Sequence, residues 1–231
     1  MEQNCTRQQK PSLDERQNQI LESTEAFVKE KLGADATGHD WWHIHRVRMM
    51  AGRLAEEEKV DVFVVELAAL LHDIQDWKFH GGDITACSKE ARRWLESQAV
   101  DEEIIAQVSH IIDNLSYKGA GVHNVPSSLE GMIVQDADRL DAIGAIGIAR
   151  TFAYGGRFER PLYDPDSKPT LHNSFEEYKK AKGSTINHFY EKLLLLKERM
   201  NTPSARRIAE ERHAFVERFL EQFFAEWNGV R

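Results

Sequence analysis

Residues 62–74 read VFVVELAALLHDI, an almost wholly apolar stretch. The valines at its start would also suit a strand, but its length and its central Glu-Leu-Ala-Ala-Leu-Leu favour a buried helix. The stretch carries His72 and Asp73 near its end. Burying such groups is costly unless they are paired or bind a metal. An isolated His-Asp pair is more often a structural salt bridge, so other segments must decide between these two interpretations.

Helical periodicity extends on both sides of this stretch. The sequence predicts a first helix from Ser12 to Gly33 and a second from about residue 41 to a break at residues 59–61. Further helices are predicted at 83–98, 101–115, 127–145, 174–200 and 203–227. Capping signals precede several of these helices, at Ser12, Ser127, Ser174 and Thr202.

The connecting segments argue for one domain. Loops are expected at 79–83, 118–126 and 154–170, and no stretch rich in Pro, Gly or Ser divides the chain. The sequence shows no alternating strand pattern of useful length. We therefore predict an all-α, single-domain helical bundle over residues 12–231, preceded by a polar, disordered tail at residues 1–11.

Composition narrows the class of partner. The formal net charge of −8 argues against duplex nucleic acid, which needs a basic surface, but it allows a small phosphorylated substrate. Cys5 and Cys87 form no CxxC pair, so no disulfide framework or cysteine zinc site is indicated. The sequence has no apolar run long enough for a membrane span and no apolar signal near Met1, so we expect a cytoplasmic protein without a membrane partner. Composition does not exclude a homodimer.

Two other segments place polar groups among apolar ones. Residues 38–47 contain His43 and Arg46, and residues 133–142 interleave Asp136, Asp138 and Asp141 with apolar positions. Three acids on so apolar a helix cannot easily all be solvated. With the His-Asp pair they supply two imidazoles and two or more carboxylates from three helices, which helices of a bundle can project to one point. Mixed nitrogen and oxygen ligands suit one divalent ion of Mn, Mg, Fe, Co, Ni or Zn.

The order His…His-Asp…Asp on a helical fold resembles the HD-domain metal phosphohydrolase superfamily. The combined motifs more narrowly resemble the small stand-alone HD phosphohydrolases of bacteria and fungi. The matching segments are HDxxHxxRV (39–47), LHDIxDWKFH (71–80), SYKG (116–119), DADRLDAIGAIGIAR (136–150) and NHFYEKLLLLKERMNT (187–202). The resemblance covers residues 20 to 227 and implies an HD-type helical bundle.

The resemblance also implies a ligand set. It assigns the metal to His43, His72, Asp73 and Asp138. His39 is a rival for the first position, and Asp136 is a rival for the last. Residues two apart on a helix differ by about 200° in direction, so only one of the two acids can face the metal. We expect Asp138 to do so, Asp141 to hold a ligand histidine or water, and Asp136 to face an arginine or a helix N-terminus.

The resemblance suggests one catalytic residue, and charge suggests the substrate contacts. Asp76 is expected to orient or deprotonate the attacking water, and the alternative is a surface carboxylate at a helix end. Cationic groups neutralise charge on phosphoryl oxygens. The residues assigned to this role are Lys78 and Arg46 in catalysis, and Lys118, His80 and Arg150 in substrate binding.

The implied activity is metal-assisted hydrolysis of a phosphate ester or anhydride, with a nucleotide as the leading substrate. Two other chemistries of the same superfamily are alternatives, cyclic-nucleotide phosphodiesterase and di-iron oxygenase. The oxygenase would need further histidines at the metal, for which the sequence offers His39, His45, His80 and His110. A non-catalytic nucleotide-binding regulator is the alternative outside enzymes.

Overall fold

The chain folds as a set of helices packed around the apolar stretch that begins at Val62. The computed structural model describes residues 13–32, 40–75, 85–115, 124–171 and 183–230. Within these ranges it has helices and no strands, as the all-α prediction requires. The helices are α1 (Glu15–Leu32), α2 (Trp41–Glu58), α3 (Val62–Leu71), α4 (Ala86–Ser97), α5 (Glu102–Asp113), α6 (Leu129–Asp141), α7 (Gly144–Arg157), α8 (Thr185–Glu191) and α9 (Pro203–Trp227).

Helix α3 is the centre of the core. Asp61 caps its N-terminus by accepting hydrogen bonds from the backbone N–H groups of Phe63 and Val64. From Phe63 to Leu71 every side chain except Glu66 is buried, and the helix packs against α1, α2, α5 and α6. Full burial of each large aliphatic side chain stabilises the fold by about 1.5–3 kcal/mol. The predicted buried helix is confirmed, although it ends at Leu71 and leaves His72 and Asp73 in the following turn.

Helix α2 runs beside both α3 and α6. Asp40 caps it through the backbone N–H of His43, and the helix ends where Lys59 adopts a left-handed conformation with φ of 60°. The break predicted at residues 59–61 is thus confirmed. Because α2, α3 and α6 pack against one another, side chains on their facing sides converge.

The helix predicted at 127–145 is two helices. α6 ends at Asp141, and α7 begins at Gly144, whose φ of +77° is open to glycine and strained for other residues. Buried apolar residues continue at helical spacing through Ile143 and Ile148, which is why the sequence pattern looked continuous. The cap of α6 is Ser128, one residue after the predicted serine.

The single helix predicted at 174–200 is also wrong. Residues 172–182 lie outside the described ranges, and α8 starts later, capped by Ser184. At Lys192 the backbone leaves the helix with φ of −141°, and two short 3-10 turns follow at Leu193–Leu195 and Lys197–Arg199. These turns bury Leu193 and Leu196, so burial rather than helix propensity decides the local backbone.

Helix α9 begins and ends as predicted. Thr202 caps its N-terminus through the backbone N–H of Ala205, and Pro203 occupies the first turn. The helix packs against α2, α6 and α7, which closes the bundle around α6. Across the described part of the chain, no helix has the length and hydropathy of a membrane span. The predicted tail at residues 1–11 lies outside the described residues.

Candidate metal centre

Four side chains from three elements meet at the junction of α2, α3 and α6. His43 lies on α2, His72 and Asp73 follow α3, and Asp138 lies on α6. His43 Nε2 is 3.4 Å from Asp138 Oδ1 and 4.0 Å from Asp73 Oδ2, and His72 Nε2 is 3.9 Å from Asp138 Oδ1. Ligand atoms of the two histidines and Asp73 all lie within 4.8 Å of one another, so this group could hold a metal ion.

Hydrogen bonds to the other ring nitrogens aim both histidines at the centre. His43 Nδ1 lies 2.7 Å from Asp141 Oδ2, and His72 Nδ1 lies 2.8 Å from the carbonyl oxygen of Ala69. Since both neighbours are acceptors, each Nδ1 carries the proton and each Nε2 presents a lone pair. His72 Nε2 is buried and has no hydrogen-bond partner among the described residues. A buried lone pair with two carboxylates nearby fits a divalent metal, which such second hydrogen bonds normally orient.

Burial and neighbouring charges shift the pKa values of the histidines and of Asp138. The pKa of His72 is lowered by burial. Burial also lowers the pKa of His43, but contacts with Asp138 and Asp141 outweigh it and raise that pKa. For Asp138, burial alone would raise the pKa, yet the contact with His43 and the charge of His72 hold it well below its ordinary value. A metal ion bound at His43 Nε2 would compete with the proton that the raised pKa favours there, so its affinity would depend on pH.

Asp136 and Asp138 face opposite ways. Asp136 is fully buried and accepts hydrogen bonds from the backbone N–H groups of Asn201 and Thr202, both at 2.8 Å. The Thr202 hydroxyl and the Asn201 side-chain amide donate to it as well. Asp136 therefore supports the N-terminus of α9, whereas the Asp138 side chain remains 37% exposed beside the two histidines.

Asp141 forms the layer behind His43. Its carboxylate accepts hydrogen bonds from Arg46 Nε at 2.7 Å, Arg46 Nη2 at 3.0 Å and Arg150 Nη1 at 2.8 Å. Burial would raise the pKa of Asp141, but the hydrogen bonds from His43 and Arg46 lower it to about 2. The sequence assigned Arg46 and Arg150 to phosphate; the structure instead binds both guanidinium groups to this carboxylate. Their contact with phosphate stays a prediction.

Several predicted site residues lie outside the described ranges. They are Asp76, Lys78, His80 and Lys118, together with the rival ligand His39. Two histidines considered for an oxygenase centre lie elsewhere. His45 packs against the rings of Trp41 and Trp42, and His110 Nε2 lies 3.0 Å from the Ser127 hydroxyl.

Lys192 is a cation that acts on the charges of the site and that the sequence did not single out. Its charge contributes to the lowered pKa of Asp138. It also helps to lower the pKa of His188 to about 3, although burial of His188 is the larger cause. The motif NHFYEKL at residues 187–193 contains Lys192. The sequence predicted one continuous helix there, which gave no reason to place Lys192 near the site.

Comparison with known proteins identifies the family. The HD domain family model matches residues 41–143, a range that contains all four predicted ligands. YpgQ of Bacillus subtilis is 39% identical over 210 residues, which cover 90% of this chain and 94% of YpgQ. The chain belongs to the HD-domain family.

Solved structures of HD-domain proteins superpose over nearly the whole chain. An HD-superfamily hydrolase from Bacillus thuringiensis has a TM-score of 0.71 and 47% identity, covering 92% of this chain and 98% of its own. YpgQ of B. subtilis in complex with ADP has a TM-score of 0.70 and 34% identity, covering 91% and 96%. The HD-type helical bundle expected from the sequence is therefore confirmed.

Proposed function

We propose that this protein hydrolyses a phosphate ester or anhydride with one divalent metal ion held by His43, His72, Asp73 and Asp138. The observation that carries the proposal is the buried, unpartnered Nε2 atom of His72, which lies among three further ligand-type side chains. The similarity to an HD-superfamily hydrolase at 47% identity supports a hydrolytic activity.

A divalent metal in such a centre lowers the pKa of a bound water and polarises a phosphoryl oxygen. The donor set contains imidazole nitrogens and carboxylate oxygens, which several divalent ions accept. The proposed ion is therefore one of Mn, Mg, Fe, Co, Ni and Zn.

The protein's own groups prepare the centre for this chemistry. Asp141 and the Ala69 carbonyl fix the tautomers of the two histidines, so no reorientation is needed when a ligand arrives. Arg46 and Arg150 keep Asp141 ionised in a buried position. Lys192 supplies a positive charge near Asp138, where it can neutralise phosphoryl oxygens.

The remaining assignments rest on resemblance. We propose that Asp76 orients or deprotonates the attacking water, and that Lys78, His80 and Lys118 contact the substrate. A nucleotide is the substrate that we favour. The structure of YpgQ in complex with ADP supports this choice, because YpgQ and this chain align over nearly their full lengths.

Metal analysis followed by a phosphate-release screen tests the proposal. Wild-type protein is expected to retain a divalent ion and to release phosphate or pyrophosphate from at least one nucleotide in a panel that also contains simple phosphate monoesters. Asp73→Ala is expected to lose both properties while its circular dichroism spectrum stays helical. The matched control Asp166→Ala, at an exposed position, should keep both.

Two results would contradict parts of this proposal. Unchanged metal content in Asp73→Ala would show that the ligand set is wrong. Tight binding of ADP by metal-loaded wild-type protein, without product release from any substrate in the panel, would indicate a non-catalytic nucleotide-binding protein.

A further inference from the structure

A cavity of about 340 Å³ lies between α2, α6, α7 and α9, on the side of Asp141 that faces Arg46. Asp141 lines it, but none of the four proposed metal ligands does. Its volume falls in the range of small-molecule sites, which begins at roughly 300 Å³. The cavity therefore has room for a ligand of its own.

Three guanidinium groups line this cavity, those of Arg46, Arg53 and Arg212. Asp141 is the carboxylate among the lining residues, and it already accepts hydrogen bonds from Arg46 and Arg150. Its negative charge is thus compensated before any ligand is considered. Arg53 Nε lies 3.4 Å from the carboxylate of Glu57, which is not a lining residue, so the lining residues themselves carry positive charge in excess.

Arg212 shows this excess most directly. Its Nη1 donates to the carbonyl oxygen of Leu140 at 2.5 Å, and no carboxylate of the described residues lies within ion-pair distance of it. Burial lowers the pKa of Arg212; the charge of Asp141 opposes this effect, and the positive charge of Arg53 adds to it. A half-buried cation beside a like charge is costly in the folded protein, and a bound anion would offset that cost.

Apart from His45, the rest of the lining is apolar. Met49 and Ile146, both lining residues, are 63% and 46% exposed, so their apolar surface is accessible to a ligand. Apolar walls with a few converging charged groups are typical of sites for small organic ligands. A ligand with both a phosphate and an aromatic or apolar part matches this lining, and guanidinium groups bind phosphate oxygens well.

We propose that this cavity is a second ligand site, which binds a phosphate-bearing small molecule of mononucleotide size through Arg46, Arg53 and Arg212 and does not use a metal ion. This site goes beyond the proposed hydrolysis, because it lies outside the metal ligand set. It predicts that nucleotide binding persists when the metal centre is disabled.

Calorimetric titration of the full-length protein, kept metal-free with a chelator, tests the proposal. ADP is expected to bind, and pyrophosphate is expected to bind more weakly because it lacks the apolar part. Arg212→Gln and Arg53→Gln should each weaken ADP binding at least tenfold, which corresponds to about 1.4 kcal/mol. Arg53 is 62% exposed, so its variant keeps the test valid if Arg212→Gln, whose side chain packs on Gly144, fails to fold.

Two control variants locate the bound nucleotide. Arg218→Gln removes a charge from the same helix as Arg212, but at an exposed residue outside the cavity lining, and it should leave ADP binding unchanged. Asp73→Asn disables the metal centre and should also leave metal-free ADP binding unchanged. If Asp73→Asn still binds ADP, the nucleotide is bound at this site and not at the proposed hydrolytic centre. This conclusion does not depend on the activity of the protein.

Four outcomes would overturn the proposal. These are absence of ADP binding at millimolar concentration, unchanged affinity in both Arg53→Gln and Arg212→Gln, loss of binding in Asp73→Asn, and equal affinities for ADP and pyrophosphate. The third outcome would place the nucleotide at the metal centre, and the fourth would replace the nucleotide-sized ligand with a bare anion.

Discussion

Asp141 Oδ2 lies 2.7 Å from His43 Nδ1, while Asp138 on the same helix lies 3.4 Å from the other ring nitrogen, Nε2. One turn of α6 therefore contacts both sides of a single imidazole. The inner contact fixes which nitrogen carries the proton, and the outer contact places a carboxylate where the lone pair points. With the spacing Asp-x-x-Asp, Asp141 thus orients the His43 ring while Asp138 offers a proposed metal ligand beside it.

Asp141→Asn should weaken metal binding without removing a ligand. The substitution keeps the side-chain shape but removes the charge that orients His43 and that Arg46 and Arg150 neutralise. We expect metal affinity to fall roughly 10–100-fold, as for other partners of ligand histidines. Competition titration with a chromophoric chelator measures the change. An affinity within twofold of wild type would show that Asp141 does not support a ligand.

Asp136→Ala should destabilise the fold and spare the metal centre. Asp136 accepts four hydrogen bonds at the start of α9, and its removal leaves buried backbone N–H groups without an acceptor. Loss of this support should cost about 2–4 kcal/mol in the free energy of unfolding. Urea denaturation measures this, and metal content of the folded fraction is the control. Metal loss from folded Asp136→Ala would reverse the assignments of Asp136 and Asp138.

Much of this centre could be predicted from sequence, because its residues break a pattern. His72 and Asp73 follow a helix that is otherwise buried, and Asp138 lies among apolar residues of α6. A polar group in such a place needs a partner, so its presence alone indicates a site. The family motifs then distinguished Asp138 from its neighbour Asp136.

Other features could not be predicted because they depend on contacts distant in sequence. Arg46 and Asp141 are separated by 95 residues, so their pairing, which occupies a predicted phosphate contact, has no local signal. The helix break at Lys192 likewise follows from burial of Leu193 and Leu196 against the rest of the fold. Only the structure shows that the positive φ of Gly144 starts a new helix, because the apolar pattern of the sequence continues through this residue.

His188 should make the stability of the protein depend on pH. Burial, with the charges of Lys192 and Arg160, lowers its pKa to about 3 from an ordinary 6.5. Neutral His188 is thus favoured in the folded state, so its contribution is fully present above about pH 6.5 and is lost as the pH falls toward 3. In His188→Gln, the free energy of unfolding should fall less steeply across this window, by up to about 1.4 kcal/mol per pH unit. Identical slopes in urea denaturation series would contradict a buried neutral His188.

Asp76→Asn should separate catalysis from metal binding. Asp76 lies outside the described residues and is assigned through the family motif, three residues after Asp73. If it orients or deprotonates water, the variant should retain its metal while turnover falls roughly a hundredfold or more. Steady-state kinetics on the best substrate of the screen measures this. Wild-type turnover in the metal-loaded variant would return Asp76 to a surface carboxylate.

Lys192→Gln tests the residue that the structure adds to the site. Lys192 ends α8, and its charge helps to lower the pKa of Asp138 and of His188. A cation in this position should stabilise negative charge that builds on phosphoryl oxygens during hydrolysis. Since Lys192 is not a ligand, the variant should keep its metal. We expect kcat/KM to fall roughly 100-fold or more, as when other groups that stabilise developing charge are removed.

Lys197→Gln is the matched control for this substitution. Lys197 lies five residues later, in the second 3-10 turn, where it pairs with the exposed Glu198. Loss of one positive charge there changes the net charge of the protein by the same amount but leaves the centre alone, so kcat/KM should stay at the wild-type value. If both variants lose activity equally, the effect is one of overall charge. If Lys192→Gln is fully active with its metal in place, Lys192 does not contact the substrate and its charge acts only on neighbouring protein groups.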